Sequence, residues 1–484
     1  MKNLIKALSL LLALTMFTAI LAACGGVEDP VTENTVTEPE SLETSVIDHI
    51  PVKDFSSGGK PKDITVLVRD GQTYTQEIWV EKATSDPVDF AVFNRNAIIL
   101  DTFGIDVNIH TVNSPDESEL ARLLRISVDS NDQAYDLVYA HTLQATMMAA
   151  DGYLYNIYDL PVVDFTKDWW NRDIMDALSI GGALYTVAND SSLHSMQYSW
   201  AMVFNKRIAE KYDIENIYDL VLNGKWTVDK LYEFSKNLYA DDGNGIPDIK
   251  DQYGLGINWW GGCIALMYAQ DQMVTKKDNE GYPYIDFATE KMNNIVQNIY
   301  DIMYTDNCCL TPRYMPNVYS AFTEGRVLFA QIVMNETDLM CDMADDFGII
   351  PMPKYDEAQK KYLSLVDGHA NIICVPRNIQ DPELIGTVLE SMAALSHNTV
   401  VPAYYEQKLK GMTTRAPEDY DMLELIMDGR VYDFGYIYDL NGLAFIIYQL
   451  MEGQNTNFSS MYAEREPGAY NKLIGIIETF KKNK

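Results

Sequence analysis

This chain has little of what most catalytic or nucleic-acid-binding proteins advertise. Only six histidines occur in 484 residues, and no H-E-x-x-H or G-x-S-x-G string is present, so zinc-peptidase and serine-hydrolase chemistry have no motif to rest on. Basic residues are scarce: 37 Lys and Arg stand against 70 Asp and Glu, a formal net charge of −33 that lacks the basic footprint nucleic acid requires. The same charge argues against adhesion of the body to anionic lipid. The six cysteines include no C-x-x-C, and no Cys/His spacing suggests zinc. Beyond residue 23 no apolar run is long enough to cross a bilayer, and no internal repeat is evident.

The one concentrated apolar run sits at the start. Lys2 and Lys6 precede a stretch from Ala7 to Leu21, and Leu21-Ala22-Ala23-Cys24 closes it. A positive start, a short apolar core and small residues before the end form an export signal, too short for a spanning helix. The closing tetrapeptide resembles a bacterial lipobox. That likeness implies cleavage after residue 23 and a diacylglycerol on Cys24, tethering the protein to the outer face of the cytoplasmic membrane. An ordinary cleaved signal and an uncleaved anchor are the alternatives. Residues 24–60 are rich in Glu, Thr, Pro and Ser, with no aromatic before Phe55, and read as an acidic disordered tether, with packing confined at most to Val46–Val52.

The body, 61–484, is 424 residues by subtraction, more than one core usually organises, and the chain is 47% hydrophobic. Strand and helix alternate early: strands at 63–68, 105–112 and 135–140, helices at 90–103 and 117–130, with Gly104 as a C-cap. Such succession implies a parallel sheet with covered faces. Ligands of such sheets bind beyond the carboxyl ends of the strands, where His141 follows the third. Thr227 suits a helix N-cap, Val327–Val333 and Asn371–Val375 read as strands, and Pro382 opens a largely helical C-terminal part. Adjacent Cys308 and Cys309 read as neighbouring free thiols, and Cys374 as a buried one.

Strings spread over the body carry a resemblance. They are Lys167-Asp168-Trp169-Trp170, Ile180-Gly181-Gly182-Ala183-Leu184-Tyr185, Val203-Phe204-Asn205-Lys206, Gly224-Lys225-Trp226-Thr227, Phe347 through Asp356, and Val431-Tyr432-Asp433. In this order, behind a lipobox, they resemble the extracellular solute-binding proteins of bacterial ABC importers, the family that includes maltose-binding protein. The resemblance implies a type II periplasmic-binding fold: two discontinuous α/β lobes, 61–193 with 348–395 and 194–347 with 396–484, around an interlobe cleft. It also implies a solute, by the family's habit a carbohydrate, bound by hinge closure without chemistry or a required cofactor, and presented by a monomer to ABC permease subunits.

Sugar rings present C–H faces that pack on aromatic rings, so the tandem pairs Trp169-Trp170 and Trp259-Trp260 are candidates. The first pair reads equally as lobe packing, whereas Gly254, Gly256, Gly261 and Gly262 bracket the second in a loop. Asp367 and His369 lie in the returning segment, where Asp367 is either a hydroxyl acceptor or a turn residue before Gly368. His194, Tyr198, Asn335 and Glu336 fall near crossings or strand ends; Arg415 reads as a surface ion-pair residue. Asp242, Asn244, Asp248 and Asp251 space like a calcium loop, but Ala240 stands at the first ligand position and Asp at the last, so a polar glycine turn competes with structural calcium. A secreted carbohydrate-active enzyme using two acids and a surface adhesin or sensor accessory are competing functions.

Overall fold

The computed structural model describes residues 45–113, 117–258, 260–311, 315–409 and 418–483. The export signal, Cys24, most of the expected tether, Trp259 and Arg415 lie outside the described residues. In chain order the strands are β1 (Lys62–Arg69), β2 (Ile105–Val112), β3 (Leu137–His141), β4 (Thr186–Val187), β5 (Trp200–Asn205), β6 (Tyr253–Gly256), β7 (Thr275–Lys277), β8 (Pro283–Ile285), β9 (Cys309–Leu310), β10 (Val327–Val333), β11 (Phe347–Ile350), β12 (Ser364–Leu365), β13 (Asn371–Cys374) and β14 (Arg430–Val431).

Two five-stranded sheets organise the body, ordered β2-β1-β3-β13-β4 and β11-β5-β10-β6-β9. In the first, β1 runs parallel to β2 and β3, as the early strand-helix succession requires. β13 then joins antiparallel, Asn371 opposite His141. In the second, β10, β6 and β9 are parallel and β5 is antiparallel to β10 and β11. The chain therefore leaves the first sheet after β4, builds the second, and returns at β13. The lobe boundary expected at 348 falls inside β11, which pairs with β5; Pro351 and Pro353 end that strand, and the return passage follows them.

Local rules set several of these elements. Asp86 accepts hydrogen bonds from the Val88 and Asp89 amides and Pro87 occupies the first turn of the helix Pro87–Phe103. Gly104 ends it at φ 66°, where a Cβ would lie 2.4 Å from Asp54 Oδ1, so only glycine fits. Thr227 caps the helix Val228–Ser235 through the Lys230 amide, burying Leu231 and Phe234. The passages between sheets hold one another: Asp367 N–H donates to Tyr198 O at 2.9 Å, and Met334 N–H to Ser199 O at 3.1 Å. β12 and β14 add a short parallel pair beside them.

Part of the segment expected as a tether, residues 45–60, packs on the body. Ile47 and Ile50, three residues apart, are 3% and 1% exposed and join the core that contains β1 and β3. His49 Nε2 meets Glu390 Oε1 at 2.8 Å, and the Phe55 amide donates to Phe103 O at 2.8 Å. Ile47 and Ile50 fall within Val46–Val52, the stretch where the sequence allowed packing, whereas Phe55 lies beyond it. The thiols of Cys263, Cys308, Cys309 and Cys374 are free, with Cys374 buried.

Candidate functional site

β6 and β10, parallel neighbours in the second sheet, end at one rim. β6 stops at Gly256, and two residues on, Asn258 Oδ1 accepts the Trp260 amide at 2.8 Å, setting the ring just ahead of the helix Gly261–Ala269. A Cβ at Gly261 would lie 2.7 Å from the Trp200 ring, and one at Gly262 would lie 2.1 Å from Gln331 Oε1. The two glycines thus let the helix start approach β5 and β10 closely. β10 ends at Val333 and continues into the turn that carries Glu336 and Leu339. β5, antiparallel, begins at this rim with Trp200, and the return passage supplies Asp367 and His369.

These residues, with Tyr198, Tyr319, Ser320 and Thr323, line a cavity of about 420 Å³, within the range of small-molecule sites. Trp260 keeps 39% of its surface exposed, unusual for an indole in a body this well packed. Its ring meets His369 edge-on at 6.1 Å.

Asp367 anchors the floor. It is 5% exposed, yet its Oδ1 accepts His369 Nδ1–H at 2.6 Å and the His369 amide at 3.0 Å, and Oδ2 accepts Trp200 Nε1–H at 3.2 Å. Burial opposes its charge, but the hydrogen bonds from His369 and Trp200 and the His369 charge outweigh it, holding the carboxyl below the usual carboxylate range. Burial pushes the Tyr198 phenol up to about 12, with Asp367 and Glu336 adding to the rise. Tyr319 is pushed well up by burial, then by Glu336 and Asp367. Both phenols stay protonated, able to donate and accept.

Of the residues expected from sequence, Trp260, Asp367, His369, Tyr198 and Glu336 come together here. Asn335 adjoins Glu336 but is absent from the lining, its Oδ1 buried without a hydrogen-bond partner among the described residues. Three candidates are corrected. His194 is fully buried; its Nδ1 accepts the Asn371 amide at 3.0 Å and its Nε2 donates to Thr73 O at 2.6 Å, so it splices the passage to β13. Burial, then Arg69, lowers it to about 3 and keeps it neutral. His141 sits behind the lining, 5% exposed, capping the helix Thr142–Ala150 and edge-on to His369 at 5.2 Å. Trp170 is 2% exposed and donates Nε1–H to Glu390 at 2.8 Å, as Trp169 does at 3.1 Å. Trp200, Tyr319 and Leu339 escaped the sequence reading. For Trp200 the Gly261-Gly262 pair was the signal that something large stood opposite.

In the acidic loop, Asp241, Asp242 and Asp251 bring one carboxylate oxygen each within 4.8 Å. Asp251 already accepts the Asp242 and Asp248 amides and the Tyr239 hydroxyl, and Asn244 and Asp248 bond each other at 3.1 Å. The expected calcium ligands are thus satisfied as a turn, and an ion would compete with those donors.

Residues 94–307 match the family model of bacterial extracellular solute-binding proteins, which sustains the resemblance read from the sequence. Among solved structures, the chain superposes on a cyclic α-maltosyl-1,6-maltose-binding protein of Arthrobacter globiformis with TM-score 0.58 at 15% identity, covering 85% of this chain and 99% of that one. UspC of M. tuberculosis gives 0.57 at 13%, covering 84% and 99%. A cyclo/maltodextrin-binding protein complexed with maltotetraose gives 0.55 at 15%, covering 87% and 98%. No curated protein matches the sequence. The fold is the two-lobe α/β periplasmic-binding-protein fold.

Proposed function

We propose that this is an extracytoplasmic solute-binding protein that holds a saccharide in the Trp260–Asp367 cavity and presents it to an ABC importer. The observation that carries the reading is the half-open indole of Trp260 beside the buried, ionised Asp367, at the rim where β6 and β10 end. An aromatic face takes the C–H side of a pyranose, and a fixed carboxylate takes its hydroxyls. The solved structures with the same fold include proteins named for maltodextrin and cyclic maltosyl-maltose, which supports carbohydrate as the solute class. The matched family consists of binding proteins, which favours capture over turnover.

In this reading the lobes around the two sheets close on the sugar, shifting the population toward a form the permease recognises. The protein acts as a monomer without a required cofactor, and Cys24 carries the lipid that keeps it at the outer face of the cytoplasmic membrane. Among the described residues no helix is long and apolar enough to cross a membrane. A thermal-shift screen of neutral saccharides followed by solution scattering tests the reading. A stabilising sugar that also reduces the radius of gyration, with no product formed, supports it; turnover, or binding without compaction, contradicts it.

A further inference from the structure

Behind the cavity wall, one carboxylate holds both passages that carry Tyr198 and His369. Glu77 lies just after the short helix Gln72–Thr75 that follows β1, and is 1% exposed. Its Oε2 accepts the His194 amide at 2.9 Å, and its Oε1 accepts Asn371 Nδ2–H at 3.0 Å. His194 lies in the first turn of the helix Leu193–Gln197, whose N-cap residue Ser192 makes no side-chain capping bond among the described residues. Glu77 therefore supplies, from a distant part of the chain, the acceptor and the negative charge that a helix start favours. Tyr198 follows at once: its amide donates to His194 O at 3.0 Å, and its ring lies 4.8 Å from the His194 ring. On the second passage Asn371 stands two residues beyond His369. Its amide donates to His194 Nδ1 at 3.0 Å, while Arg69 Nη2 donates to Asn371 Oδ1 and to His369 O, each at 2.7 Å.

Burial is the largest influence on the Glu77 carboxyl and pushes it up to about 7, against the bonds from His194 and Asn371 and the charges of Arg95 and Arg69. Tyr139 and Tyr432 also face it, and Glu77 adds to the rise that burial causes in both phenols. An ion held this deep contributes little to the fold as a charge. What it supplies is two acceptor atoms in fixed directions, one for each passage. Resting on the saccharide reading, we propose that Glu77 is a positioning residue for the cavity: by fastening both passages at one point, it sets Tyr198 and His369 where a bound sugar meets them. When Glu77 takes up a proton, its new O–H faces one of the two donors, and one of the two bonds is lost. The passages loosen, the fraction of molecules with the cavity assembled falls, and the apparent affinity falls with it.

The test uses whichever of maltose, cellobiose, lactose, mannobiose and xylobiose, or their trimers, binds the full-length protein by calorimetry. Glu77→Gln reproduces the protonated acid, with one accepting and one donating arm. Wild type is expected to bind about tenfold more tightly than Glu77→Gln at about pH 8.5, and the ratio to fall to about twofold or less at about pH 5.5. Asp367 and His369 are present in both proteins, so the ratio isolates Glu77. Stability should move the other way. A folded pKa raised above the unfolded value gives stability that is present at low pH and lost as pH rises through about 7. At about pH 8.5 the Tm of Glu77→Gln should therefore equal or exceed that of wild type. A ratio that does not change with pH, an affinity equal to wild type, or a loss of affinity matched by a fall in Tm overturns this inference alone. If Glu77→Gln does not fold, Asn371→Ala decides, since it removes the second passage's donor and leaves Glu77 in place. Weaker binding at about pH 8.5 than at about pH 5.5, each relative to wild type, supports the proposal, and unchanged affinity overturns it. Failure of every saccharide to bind overturns the underlying function reading, and with it this inference.

Discussion

Two buried carboxylates in this protein are collared in nearly the same way, yet only one belongs to a binding site. Glu390 accepts indole N–H from Trp169 and Trp170 and faces His49; Asp367 accepts indole N–H from Trp200 and an imidazole N–H from His369. Around Glu390 the indoles are sealed: the carboxylate is 0% exposed and Trp169 and Trp170 are 9% and 2% exposed, and only His49 reaches solvent, with 25% of its side chain exposed. Around Asp367 the collar opens, with the His369 side chain 52% exposed and Trp260 lying across from it. Residue type does not separate structural tryptophan from ligand-facing tryptophan. What separates them is whether the indole itself keeps a face in solvent, as Trp260 does and Trp169 and Trp170 do not.

If that contrast is right, the Glu390 cluster should respond in stability and the Asp367 cluster in binding. Glu390→Ala strands two indole donors and His49, and should cost about 3 kcal/mol or more in urea unfolding; a loss under about 1 kcal/mol would mean that the collar is not sealed. The N-terminal strap extends the same sealed side. Ile50→Ala should cost about 2 kcal/mol, and removal of the residues before 61 should lower Tm, whereas a disordered spacer would leave it unchanged.

The open side gives a pH signature. Because the folded pKa of Asp367 is depressed, its contribution to stability is complete above its unfolded value near pH 4 and is lost as pH falls through the lower folded value. The stability gap between wild type and Asp367→Asn should therefore shrink as pH falls below about pH 4. A gap that persists unchanged to pH 2 would show that folding does not lower this carboxyl's pKa. The smallest effect is expected at the acidic loop. With Asp251 already holding three donors, millimolar calcium should move Tm by less than about 1 °C, and a rise of several degrees would establish an ion there.

The same contrast shows what was readable in advance. Local signals were sufficient for the helix over 90–103 with its Gly104 cap, though not for its start at Pro87, and for the Thr227 cap and the β1–β3 run, because each rests on neighbours within a few residues. The glycine bracket marked Trp260 as a candidate but was misread as a loop, since Gly254 and Gly256 lie in β6 and Gly261 and Gly262 open a helix, where their smallness permits close approach. The fate of Trp170 was not readable, since its partner Glu390 lies 220 residues downstream. Nor was His194, whose ring is claimed by the Asn371 amide across 177 residues. Tyr319 and Leu339 joined the cavity only because β10 lies between β5 and β6, a pairing that no local pattern specifies.

The most direct test is calorimetric titration of the wild-type protein and of Trp260→Ala with the saccharide that stabilises it. One sugar per protein for the wild type, with affinity reduced at least tenfold in Trp260→Ala and Tm within a few degrees of wild type, is the predicted result. Equal affinity in the two proteins would contradict the placement of the sugar in this cavity.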